Sequence, residues 1–80
     1  MFTIYALYSE KYNKIYIGYT SNMEQRLIAH NELETKGYTL RYRPWKIIYS
    51  ENLFDKKEAM KREKQLKSAK GRMFIWELIK

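Results

Sequence analysis

Cysteine is absent, and histidine occurs once. The first absence removes disulfide frameworks and thiolate metal sites; the second removes any zinc centre built from several imidazoles. A chain that manages without disulfides is at home in a reducing cytosol, so a cytoplasmic location is expected. No apolar stretch approaches the ~20 residues needed to span a bilayer, and no basic N-terminal segment leads into an apolar run. A membrane span and a secretory leader are therefore not expected. With one proline and three glycines, no linker, repeat or low-complexity segment interrupts the 80 residues, which read as one domain, 1–80. A domain of this size buries only about 60–65% of the surface its unfolded chain exposes, so its core is thin.

Tyrosine and positive charge are what the chain has in excess. Tyrosine supplies 8 residues, against 2 Trp and 3 Phe, and each phenol that is buried needs a partner for its hydroxyl. The net charge of +7 is unevenly placed, since residues 1–35 carry three Lys or Arg against four Glu, whereas residues 36–80 carry thirteen against five acids. A strongly basic C-terminal half favours a polyanionic partner, because each neutralised phosphate releases condensed counterions.

Phe2 to Tyr8 and Lys14 to Tyr19 are short, aromatic and β-branched, and predict two strands closed into a hairpin by SEKYN. Pairing Tyr5 opposite Tyr16 puts both rings on one face with Gly18 beside them, where a missing side chain admits a ligand or another backbone. Ser21 with Glu24, or Asn22 with Gln25, offers a capping box for a helix running to about Glu34, with Gly37 beyond it. An advance of about 100° per residue places Arg26 and His30 within the stripe of Met23, Leu27 and Leu33. A guanidinium there must be paired, snorkel outward or serve function. Residues 37–46 interleave Tyr38, Tyr42 and Trp45 with Arg41, Arg43 and Lys46, a loop able to stack on bases and pair with phosphates. Pro44 marks entry to a third strand, Trp45 to Ser50. Asp55 with Glu58 opens a second helix to about Lys70, with Gly71 at its C-terminal cap. This helix is rich in lysine, Lys67 and Lys70 included, yet Glu63 falls among Ala59, Met60 and Leu66 and is its one inward acid. Met73 to Ile79 is apolar nearly all round and predicts a terminal helix or turn packed back on the domain.

These inward polar groups suit phosphodiester hydrolysis, which needs a base, a counter-charge for the pentacoordinate transition state and help for the leaving oxygen. Glu63 could hold one Mg²⁺ or Mn²⁺, because Mg²⁺ keeps most of its waters and asks for one or two carboxylates plus substrate oxygens. Arg26 would clamp the phosphate. Tyr5, Tyr16 or His30 could take a proton, and on intrinsic pKa the histidine is the easier base. Equally, Arg26 and Glu63 could form a buried ion pair with no substrate.

Thr3-Ile4-Tyr5, Tyr16-Ile17-Gly18, Arg26, His30 and Glu63 within EAMKREKQLK together resemble the GIY-YIG endonuclease superfamily, in particular its small stand-alone bacterial members. The resemblance covers nearly the whole chain. It implies an α+β, sandwich-like fold, a three-stranded antiparallel sheet flanked by helices, similar to the nuclease domain of the excision-repair incision protein. It further implies single-metal cleavage of DNA in repair or recombination, with Tyr5 as general base, Tyr16 orienting water, Arg26 stabilising the phosphorane, Glu63 binding Mg²⁺ or Mn²⁺, and His30 at a position often histidine. The first triplet begins with Thr3 in place of Gly, at a site that commonly varies. No Asn follows Asn52, although larger members carry one beyond the Glu helix. Small members lack the extra DNA-binding domains that set specificity, so the expected partners are DNA and a further protein or second copy, with no organic cofactor. DNA contacts are expected from Tyr38, Arg41, Arg43, Lys46, Lys67 and Lys70. A nucleic-acid-binding module without turnover is the alternative reading.

Overall fold

The structure is a computed structural model that describes residues 1–33 and 37–79. Strand β1, Phe2–Ser9, lies at the centre of a three-stranded antiparallel sheet in the order β2-β1-β3, flanked by β2, Lys14–Thr20, and β3, Lys46–Leu53. Helix α1, Met23–Ile28, continues as a π-helical segment, Ala29–Leu33, and the short α2, Tyr38–Arg41, follows. After β3 come α3, Lys56–Lys67, and α4, Ala69–Ile79. This is the expected α+β fold. No helix among the described residues is long and apolar enough to cross a membrane.

Alternation along β1 divides the core in two. Ile4 and Ala6, with Ile15 and Ile17 of β2, face α3 and α4 and meet Ala59, Leu66 and Ile75. Tyr5 and Leu7 face the other way, toward Trp45, with Met23 and Leu27 of α1 packed over them. The sheet is thus covered on both faces, which a thin core needs if each strand is to bury both sides.

The hairpin register corrects the expected one. Tyr5 pairs with Gly18, and Tyr16 pairs with Leu7. Strand pairing ends at Ser9 and Lys14, and Asn13 closes the turn at φ 55°, a left-handed conformation that Asn tolerates well. The shift is by two residues, so parity survives and both tyrosines remain on one face.

The N-terminal caps are the expected ones, whereas the end of the second helix differs. Asn22 is the N-cap of α1, its side chain accepting from the Gln25 amide at 3.1 Å, and Asp55 caps α3 through the Glu58 amide at 2.9 Å. Glu34, the expected end of the first helix, lies outside the described residues. Gly71 is not a C-cap: α3 stops at Lys67, Ser68 turns the chain, and Gly71 sits in the first turn of α4. A Cβ there would run into the backbone of Gln65 and Leu66, so this glycine lets α4 close onto α3. The segment 37–46 is not a loop throughout, because α2 occupies its first half and Trp45 is buried.

Candidate active site

Tyr5, Tyr16 and His30 are gathered on the α1 side of the sheet. Tyr5 and His30 are each 2% exposed, and the Tyr5 hydroxyl shares a 3.0 Å hydrogen bond with His30 Nε2. Tyr16 packs on both, with ring centroids 4.9 Å from His30 and 6.3 Å from Tyr5. Gly18 makes room for this arrangement, since a Cβ at that position would lie 2.7 Å from the Tyr5 hydroxyl oxygen. His30 belongs to the π-helical segment, a departure from α-helical bonding of the kind that recurs at functional sites.

Two contacts hold that segment in place, and neither was apparent from spacing. Asn31 accepts from the Trp45 amide at 2.7 Å and donates from Nδ2 to the Trp45 carbonyl at 3.0 Å, bridging the π-helical segment to the start of β3. Arg43 donates from its guanidinium to the carbonyls of His30 and Ala29. The predicted DNA contact Arg43 therefore spends its guanidinium on the backbone of the histidine segment.

The tyrosine cluster opens toward the edge strand β2. There a cleft of about 460 Å³ is lined by Ile15, Tyr16, Ile17, Tyr38, Lys67 and Arg72, so both helical layers meet across the sheet edge. Tyr38 donates to the Ile15 carbonyl at 3.2 Å and stacks on Trp45 with centroids 5.8 Å apart. Burial pushes its phenol above the usual value near 10, opposed by the Arg72 charge and reinforced by Tyr42. Arg72 had no place in the sequence reading, which began the last segment at Met73. Its only signal was a cation just after Gly71.

The other expected residues are dispersed. Arg26 is exposed, not inward, and lines a separate hollow with Thr20, Ser21, Asn22, Gln25 and Ala29. Leu33 had drawn the calculated stripe toward it, but Leu33 is 68% exposed. The packed positions Met23, Leu27 and His30 centre about 65° away from Arg26. Glu63 is half-buried and bridges Lys67 at 3.6 Å, so it borders the cleft through that lysine. Among the described residues no ion pair joins Glu63 to Arg26, which corrects the buried-pair reading. Arg41 lies beside Tyr38 in a hollow with Gly37, Leu40 and Tyr42. Lys46 bridges Glu10 at 3.4 Å, and Lys70 lines a different cavity with Arg62 and Phe74. Of the six expected DNA contacts, Tyr38 and Lys67 share the cleft at the β2 edge, and Arg41 lies in the hollow next to Tyr38.

No group of three or more His, Asp or Glu that could hold a metal occurs among the described residues. Among the described residues there is thus no all-protein cage. The donor set remains compatible with one hydrated divalent cation on Glu63, whose carboxylate is engaged by one long contact to Lys67.

A family model for the GIY-YIG catalytic domain matches residues 1–75. The chain belongs to the GIY-YIG family. This GIY-YIG protein is 41% identical over 58 residues to a UPF0213 protein of Staphylococcus haemolyticus, covering 72% of this chain and 71% of the relative. It is 38% identical over 68 residues to a UPF0213 protein of Bacillus velezensis, covering 81% and 69%. With UPF0213 protein YazA of Bacillus subtilis it shares 36% over 70 residues, covering 84% and 71%. No solved structure matches significantly. Membership is thus established for the GIY-YIG domain and its UPF0213 relatives, and not for the excision-repair nuclease in particular.

Proposed function

We propose that this GIY-YIG domain is a divalent-metal-dependent DNA endonuclease, selective for DNA structure and serving repair or recombination. One observation carries the reading: Tyr5, Tyr16 and His30 form a packed cluster whose outer ring, Tyr16, lines a cleft that also carries Lys67 and Arg72. Hydrolysis requires a water to lose a proton as it attacks phosphorus, and Tyr16 is the cluster's side chain that lines the cleft. Tyr5 and His30, hydrogen bonded behind it, can hold or pass a proton within the cluster. Lys67 supplies positive charge at the cleft, and Arg26, exposed on α1 beside a separate hollow, would stabilise the charge on the phosphorane oxygens. Glu63 would hold the one Mg²⁺ or Mn²⁺, which when bound polarises a phosphoryl oxygen.

The test is cleavage of supercoiled, nicked, flapped and branched DNA in Mg²⁺, Mn²⁺ or EDTA by wild type, Glu63→Gln and Arg26→Ala. Glu63 is half-buried and makes one long ion pair, so Glu63→Gln is expected to fold normally and to lose cleavage by at least 10²-fold. Full activity in folded Glu63→Gln would remove the metal assignment. Salt-sensitive binding without cuts in any metal would favour the binding-module reading, for which the same basic, tyrosine-lined cleft is suited.

A further inference from the structure

We propose that Arg72 is a phosphate-binding residue of this cleft, its guanidinium gripping the backbone of the nucleic-acid strand that passes beside Tyr16 and Tyr38. The inference rests on the nucleic-acid reading above and adds to it a contact that the motif residues do not include.

Position is the first argument. Arg72 lies in the first turn of α4, its amide donating to the Ser68 carbonyl at 2.9 Å. The absence of a side chain at Gly71 brings that turn against α3 at Leu66, beside Lys67. Arg72 therefore reaches the same cleft as Tyr16 although it comes from the opposite face of the sheet.

Availability is the second. Arg62 is held by Glu51 at 3.2 Å and by Gln65 at 3.1 Å, and Arg43 is held by backbone carbonyls. The guanidinium of Arg72 has no hydrogen bond or ion pair with any described residue. Lys67, the other cation of the cleft, is already bridged to Glu63.

Cost is the third. The first turn of α4 contains no acid and presents the positive end of the helix dipole, where a cation is unfavourable. An anion drawn to this cleft meets the helix end, a weakly hydrated planar fork and two phenols together. The substrate's phosphodiester backbone is such an anion.

The experiment is equilibrium binding of a fluorescently labelled DNA oligonucleotide over a salt series in EDTA, so that turnover plays no part. Wild type is compared with Arg72→Gln, Arg72→Lys and Lys57→Gln. Lys57 is an exposed cation about 15 Å up α3 from Lys67 and matches the charge lost. Arg72→Gln is expected to weaken binding about tenfold at low salt and to flatten the log–log salt slope by about 0.7–0.9, one phosphate contact. Arg72→Lys should recover the slope while binding less tightly than wild type, and Lys57→Gln should keep the wild-type slope. An Arg72→Gln curve that coincides with Lys57→Gln overturns the assignment of Arg72 alone. Absence of DNA binding by wild type overturns the assignment together with the functional reading beneath it.

Discussion

Gly18 shows how much one missing side chain arranges. The Tyr5 ring lies over it, and the Tyr5 hydroxyl meets His30 from that position. Gly18→Ala should displace the phenol, break the 3.0 Å hydrogen bond and cost about 1–3 kcal/mol, as overpacking does. Urea unfolding measures the cost, and a stability unchanged from wild type would show that the ring can move aside freely. The pairing of Tyr5 and Tyr16 on one face could be read from the period of two. Their contact with His30 could not, because it depends on where the first helix crosses the sheet. Arg26 illustrates the converse: a helical wheel weights every apolar residue alike, and the exposed Leu33 turned the calculated face toward it.

Between elements, polar groups do what a thin core leaves undone. Asn31 and Arg43 tie the π-helical segment to the chain entering β3. On the other face, Tyr49 of β3 donates to Glu51 at 2.6 Å, and Glu51 in turn accepts Arg62 of α3. The hydrogen bond to Glu51 is the main cause that raises the Tyr49 phenol above its usual value near 10. A pKa raised on folding means that the native state favours the protonated phenol. Its contribution to stability is therefore complete below about pH 10 and is lost as pH rises through the raised value. Wild type should lose stability on the alkaline side more steeply than Tyr49→Phe, as followed by urea unfolding at pH 7, 9 and 11. Parallel curves would sink the idea. The caps Asn22 and Asp55 were legible because a capping side chain acts within three residues of itself. The break at Ser68 was not, since Gly71 answers to the backbone of α3 and not to the end of its own helix.

For the molecule as a whole, stability is on the order of 4–12 kcal/mol for a chain of this length. Leu66 is 2% exposed and lies where α3, α4 and the sheet meet. Leu66→Ala should cost about 2–5 kcal/mol, a large share of that total. Because α4 is seated on α3 at the same place, loss should appear as a lower urea midpoint for the entire fold. Early release of α4, with the sheet transition unmoved, would contradict this. The cleft with Tyr16, Tyr38, Lys67 and Arg72 exists only because both helical layers reach the β2 edge, so its integrity depends on this junction.

Local rules accounted for much of this protein. Strand periodicity, helix caps and the charge imbalance act over a few residues, and with the spaced motifs they led to an α+β fold and a GIY-YIG domain. The hairpin register, the π-helical seat of His30, the outward Arg26 and the convergence of Arg72 with Tyr16 came from contacts between residues far apart in the chain. Such contacts follow from how the layers pack and which side chains they exclude, and no window along the chain contains both partners.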